Sequence, residues 1–229
     1  MSIVENIARL REEIDWAARQ SGRSGRDITL VAATKTQSPE IVRAAVEAGV
    51  DAAGENRVQE LCEKLDAGAY AGAKIHFIGH LQKNKVRKVV GAVDLIQSVD
   101  SLELLSAIDR VAGELKITQD VLIQVNIGQD PDKFGVHAPG LDAFLAEAAR
   151  YSHIHLRGLM TMLPLEASQA ETRGLFARMY EIFVDIRGKT YDNVNMDFLS
   201  MGMSGDFVDA ILEGANMIRV GSTIFGSRK

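Results

Sequence analysis

Ile28-Thr29-Leu30-Val31-Ala32-Ala33-Thr34-Lys35-Thr36-Gln37 is a short, nearly continuous apolar run that ends on a lysine set between two hydroxyls. An apolar run without polar alternation is the pattern of a strand buried on both faces, as in a parallel sheet covered by helices. Runs of the same kind recur along the chain. After Ile28 to Thr34, strands are expected at Ala52 to Gly54, Ile75 to Gly79, Leu95 to Ser98, Val121 to Asn126, Leu156 to Met160, Phe198 to Met201 and Met217 to Gly221. Helices are expected between them over Pro39 to Gly49, Arg57 to Leu65, Lys85 to Val90, Ser101 to Leu115, Leu141 to Tyr151, Ser168 to Arg187 and Asp206 to Gly214. Ahead of the first strand, Ile3, Ile7, Leu10, Ile14 and Ala17 recur at helical spacing with charges between them, so an amphipathic helix ends near Ser21-Gly22.

Strands alternating with helices specify an α/β fold. About eight such units in 229 residues predict a single (β/α)8 TIM-type barrel with an extra N-terminal helix, in one domain spanning residues 1–229. An open doubly wound sheet fits the same pattern, because strand order is not written in the sequence. Four prolines and no low-complexity stretch give no sign of a linker.

Lys and Arg number 26 against 31 Asp and Glu, a formal charge of -5, so no global positive field recruits nucleic acid. Cys62 is the only cysteine, which excludes an internal disulfide and a thiolate-rich metal site and suits a reducing compartment. Ser2 to Gln20 is too charged for the apolar core of a signal peptide, and no apolar run is long enough to cross a bilayer, so the cytoplasm is the expected location.

In a barrel, chemistry belongs to the loops after the strands. Lys35 follows the first strand, where partial desolvation of the ammonium favours the free amine that a Schiff base needs, although a lysine reaching out to solvent fits the same position. Ser200 to Ser204 and Gly221-Ser222-Thr223 follow the last two strands; they combine glycines with hydroxyls, the composition of a phosphate cradle or of ordinary turns, with Ser204 then capping the helix that begins near Asp206. Arg219 lies inside the last apolar run and needs an acceptor, either a carboxylate such as Asp197 or Glu213, or a ligand ring nitrogen. Together these residues describe a ligand that bears an aldehyde and a phosphate. Lys83, Lys85, Arg87 and Lys88 form a basic cluster that reads as a solvated helix face, and Met160, Met162, Met201 and Met203 divide between core filling and a pocket wall.

Seven stretches, in this order, carry a resemblance. They are Val31-Ala-Ala-Thr-Lys35-Thr-Gln37, Gly54-Glu-Asn-Arg57, His76-Phe-Ile-Gly-His-Leu-Gln-Lys-Asn-Lys85, Lys133-Phe-Gly135, Gly158-Leu-Met-Thr-Met162, Leu199-Ser-Met-Gly-Met-Ser204 and Arg219-Val-Gly-Ser-Thr-Ile-Phe-Gly226. The chain resembles the pyridoxal phosphate homeostasis proteins, whose domain is the barrel also found in alanine racemase. The resemblance implies pyridoxal 5′-phosphate as cofactor, held as an internal aldimine at Lys35. It implies phosphate contacts at Ser200, Gly221 and Ser222, Arg219 facing the pyridine nitrogen, and pocket positions for Asn56, His80 and Met201. An arginine at the pyridine nitrogen keeps it unprotonated and weakens the ring as an electron sink. Relatives often carry Ser-Lys-Thr where Thr34-Lys35-Thr36 stands here, a change that keeps the hydroxyl.

Racemisation in alanine racemase needs a tyrosine from a second domain as the opposing acid, and the tyrosines here, Tyr70, Tyr151, Tyr180 and Tyr191, do not fall at strand ends. The resemblance therefore implies a carrier that buffers or delivers the cofactor without substantial turnover and has no catalytic residue of its own. It has pyridoxal-phosphate-dependent apoenzymes as recipients, no membrane or nucleic-acid partner, no metal, and a monomeric state. A low-activity amino-acid racemase is the alternative, and a Schiff-base aldolase acting on a sugar phosphate shares the lysine and the phosphate site.

Overall fold

The computed structural model describes residues 2–226 apart from 131–132, 165–166 and 190. Eight parallel strands close into a barrel in sequence order: β1 (Thr29–Ala33), β2 (Ala52–Glu55), β3 (Lys74–Phe77), β4 (Leu95–Val99), β5 (Gln119–Gln124), β6 (Ile154–Met160), β7 (Val194–Ser200) and β8 (Met217–Val220). Closure is made by β1 against β8, with Thr29 opposite Met217 and Val31 opposite Arg219. The closed barrel excludes the open doubly wound alternative.

Helices fill the connections: α1 (Ile3–Gln20), α2 (Pro39–Glu47), α3 (Val58–Asp66), α4 (Leu102–Leu115), α5 (Leu141–Ala148), α6 (Gln169–Arg187), α7 (Phe207–Leu212) and α8 (Ser222–Phe225). The helix expected over Lys85 to Val90 is instead a 3-10 stretch, Lys83–Lys88, whose basic residues leave Val86 as its one buried apolar position. The α8 turn follows β8 directly and was not anticipated.

The extra N-terminal helix begins with a capping box. Ser2 Oγ accepts from the Glu5 N–H at 3.2 Å, and the Ser2 N–H donates to Glu5 Oε2 at 2.8 Å. Ile7, Leu10, Ile14 and Ala17 are buried as the spacing predicts, with Ile3 partly so. The helix packs on α7 and α8, and Asn6 donates to the Ile224 carbonyl at 2.9 Å, which ties the first helix to the last.

Two apolar cores result from strand alternation. Residues facing outward pack against the helices, while Val31, Ala52, Leu95, Leu122, Met160 and Met217 fill the lumen as a separate cluster. Gly158 sits at the irregular β6–β7 pairing with φ +145°, where a Cβ would lie 1.9 Å from the Phe198 carbonyl oxygen, so only glycine fits. Above the apolar layer the lumen turns polar, with Gln97, Ser200 and Arg219 in the alternating positions of β4, β7 and β8.

Candidate functional site

A cavity of about 580 Å³ opens at the C-terminal ends of β1, β7 and β8, within the ~300–1,000 Å³ range of small-molecule pockets. The loop after β1 contributes Lys35, Thr36 and Gln37, β8 contributes Arg219, and the turn into α8 contributes Gly221 and Ser222. Lys35, Arg219, Gly221 and Ser222 are thus brought to one cavity from opposite ends of the sequence.

Lys35 is exposed at the cavity, so the expected desolvation by the strand end is absent, and its ammonium has no partner among the described residues. The loop that carries it is held from both sides. Thr34, fully buried, donates through Oγ1 to Glu55 Oε1. Lys64 Nζ reaches Glu55 Oε1 at 2.6 Å and the Thr34 carbonyl at 2.7 Å, and the Tyr70 hydroxyl donates to the same Glu55 oxygen at 3.0 Å. Burial and the Glu55 charge push the Tyr70 phenol far above its ordinary range. On the other side, Thr36 adopts φ +65°, a left-handed conformation that a β-branched residue rarely holds, and its N–H donates to Glu60 Oε2 at 2.6 Å.

Arg219 is 4 % exposed and forms neither of the ion pairs expected of it. Asp197 pairs with Arg157 and Glu213 with Arg173; Arg219 instead donates to Ser200 Oγ at 2.6 Å and to the Thr161 carbonyl at 2.7 Å. Burial lowers its pKa to about 10, and the nearby Asp206 opposes that shift, so the guanidinium remains charged at neutral pH. Asp206 also borders the cavity, and burial raises its carboxyl above the usual range against a hydrogen bond from the Met203 N–H.

Ser204 does not cap the following helix, whose first residue is preceded by Asp206. Its Oγ accepts from the Gly221 N–H at 3.1 Å and the Thr223 N–H at 3.5 Å, joining the two loops expected to form an anion cradle. Between those amides, the exposed Ser222 keeps its N–H and its hydroxyl without partners among the described residues. A positive ammonium, two free donors and a buried guanidinium around one cavity fit an anionic ligand with a carbonyl group.

The remaining expected residues lie elsewhere. Ser200 and Met201 are fully buried, Ser200 behind Arg219 and Met201 in the helix-facing core. Met160 is likewise core, whereas Met203 borders the cavity and Met162 is exposed. Asn56 and His80 border a separate depression of about 630 Å³ with Cys62, Lys85 and Lys88. There His80 Nδ1 lies 3.2 Å from Asp100 Oδ2, its ring stacks on Phe134 at 3.8 Å, and Asn56 Oδ1 is buried without a partner. Glu55, at a strand end within the Gly54-Glu-Asn-Arg57 stretch, is given no role by the sequence, and Lys64 and Asp206 are not singled out as functional by it.

The family described as alanine racemase, N-terminal domain, matches residues 6–229. The pyridoxal phosphate homeostasis protein of Aquifex aeolicus (strain VF5) is 38 % identical over 229 residues, covering all of both chains. That of Escherichia coli (strain K12) is 36 % identical over 231 residues, covering 99 % of this chain and 97 % of the relative. Among solved structures, PipY of Synechococcus elongatus PCC7942 with PLP bound superposes with a TM-score of 0.86 at 35 % identity, covering 98 % of this chain and all of that one. Alanine racemase of Clostridium difficile 630 shares the fold alone, with a TM-score of 0.74 at 18 % identity over 88 % of this chain and 56 % of its own.

Proposed function

The chain belongs to the pyridoxal phosphate homeostasis proteins, within the alanine racemase N-terminal domain family, and on that premise we propose that it holds pyridoxal 5′-phosphate through Lys35 and serves as an intracellular carrier that buffers or delivers it. The observation that carries this reading is the meeting in one cavity of the Lys35 ammonium and the Ser222 donors, which have no partners among the described residues.

Pyridoxal phosphate supplies an aldehyde, which condenses with a primary amine with loss of water, and a phosphate dianion. Lys35 provides the amine, held in place by the turn pinned between Thr34 and Thr36. Ser222 provides donors to the phosphate, and Gly221 lets the main chain come close. The Gly221 N–H itself is engaged by Ser204, so its contact with phosphate requires sharing that hydrogen bond. Arg219 borders the cavity with two of its donors fixed by Ser200 and Thr161, and it would offer the ring of the bound cofactor a charged, pre-set wall. Ser200 supports Arg219 from behind, while Asn56 and His80 line a separate depression and Met201 lies in the helix-facing core, so none of these three is given a cofactor contact.

Delivery to apoenzymes is supported by exposure. Lys35 stands at an open cavity where a second protein can reach the bond to its amine, and a monomer leaves that mouth uncovered. The test sets delivery against turnover. A carrier transfers its cofactor to an apoenzyme and racemises a panel of L-amino acids far below ordinary enzymatic rates of roughly 1 per second. Turnover at that rate or faster identifies a racemase instead.

A further inference from the structure

Below the cofactor-side cavity a file of hydrogen bonds crosses the lumen. Arg219 Nη1 donates to Ser200 Oγ at 2.6 Å, Ser200 Oγ donates to Gln97 Oε1 at 2.7 Å, and Gln97 Nε2 meets His76 Nδ1 at 2.9 Å. All four residues are buried. The direction of every bond follows from the first. A guanidinium has no acceptor, so Ser200 must receive from it and pass its own proton onward. The Gln97 carbonyl oxygen takes that proton, which turns the amide nitrogen toward His76. His76 Nδ1 must then accept, so the proton of the neutral ring sits on Nε2.

His76 Nε2 has no protein partner among the described residues, and the ring, 4 % exposed, borders a second cavity of about 600 Å³. This cavity lies at the opposite mouth, where β1, β2 and β3 begin with Thr29, Ala52 and Lys74. Its two acids are already engaged: Asp15 by Arg19 and the Gly25 N–H, Asp51 by Arg11 at 3.0 Å and the Leu30 N–H at 2.6 Å. The side chains of its two other cations, Arg26 and Lys74, form no ion pair or hydrogen bond among the described residues. The unspent groups among the described residues are therefore two cations at the rim, the Thr29 hydroxyl and one oriented N–H at the floor.

We propose that the N-terminal mouth of the barrel is a binding site for a small oxyanion, a phosphate or carboxylate group, held by Lys74 and Arg26 at the rim and by the His76 Nε2–H at the floor. The site is distinct from the Lys35 cavity, yet its floor donor is oriented by Arg219, which borders that cavity. Compact anions match this set because every available group donates and only the Thr29 hydroxyl can also accept.

The test is NMR of the full chain with ¹⁵N-labelled histidine, titrated with inorganic phosphate at constant ionic strength against chloride. His76 is expected to show the neutral, Nε2-protonated pattern before titration and a saturable shift on adding phosphate. Lys74→Met, a change at an exposed residue, raises the half-saturation concentration about tenfold. A matching series with acetate separates the two sources: a response to both assigns any oxyanion, and a response to phosphate alone narrows the site to phosphate groups. Phosphate bound only at the other mouth moves the Gly221 and Ser222 amides, read on a second, uniformly ¹⁵N-labelled sample, and gives the same His76 response in both proteins, which overturns the proposal. A His76 signal that does not saturate, or that carries its proton on Nδ1, overturns it as well.

Discussion

The Lys64 ammonium lies 2.6 Å from the Glu55 carboxylate in a buried ion pair, and the same ammonium holds the carbonyl of Thr34, the residue before Lys35. The side chains of both members are almost fully sealed, at 4 % and 0 % exposure, so neither charge can fall back on water if its partner is lost. Lys64→Met should therefore cost roughly 3–5 kcal/mol of stability, measured by denaturant unfolding, because it leaves a buried carboxylate with only the neutral Thr34 and Tyr70 hydroxyls as partners. Glu55→Leu combined with Lys64→Met should recover part of that loss, since no uncompensated charge remains.

Thr36 holds a left-handed backbone conformation beside Lys35, and the strain can be relieved without losing the N–H bond to Glu60. Asn tolerates that conformation better than a β-branched residue, so Thr36→Asn should stabilise the fold by roughly 1 kcal/mol, seen as a rise in Tm of about 2–4 °C. An unchanged or lower Tm would show that the turn is not strained.

These two features also show where the sequence stops being legible. The strand runs, the N-terminal helix and the lysine after β1 were readable because each is a local pattern. The first residues of β5 and β7 were not: Gln119, Asp120, Asn195 and Asp197 break the apolar runs, yet they belong to strands, Gln119 bonding to the loop before β4 and Asp120 and Asp197 sharing Arg157. Lys64 reads as one more charge on an amphipathic helix, since nothing local reveals that it turns inward to Glu55. Gln97 and Ser200 are 103 residues apart and meet only because the barrel closes. Of the two partners open to Arg219, the carboxylates are taken by Arg157 and Arg173, and its acceptors are Ser200 on the adjacent strand and the Thr161 carbonyl after β6.

His76 gives the fold a pH dependence. Burial lowers its pKa from 6.5 to about 4, against Asp94, which raises it, while Lys74 adds to the lowering. Above pH 6.5 the ring is neutral folded or unfolded and contributes nothing to the slope. Between 6.5 and about 4 the unfolded chain takes up the proton first, so stability falls with falling pH, by about 3 kcal/mol over the window. Below about 4 both states are protonated and the loss is complete. Unfolding free energies of His76→Gln and the parent, measured across that window, should diverge in slope by this amount.

Ser222 offers its hydroxyl and its N–H to the cavity, and the proposed phosphate contact rests on both. Ser222→Ala removes the hydroxyl alone, and a hydrogen bond to a charged group contributes ~1.5–3 kcal/mol, so pyridoxal phosphate affinity should fall by about 10- to 100-fold in equilibrium titration. Unchanged affinity would move the phosphate away from this turn.

The covalent hold by Lys35 is tested most directly by borohydride reduction of the cofactor-loaded protein followed by mass mapping of the modified peptide. The account predicts one pyridoxyl phosphate adduct, on the peptide containing Lys35, and its loss together with the visible absorbance band in Lys35→Ala. An adduct on another lysine, or a band that survives that substitution, contradicts it.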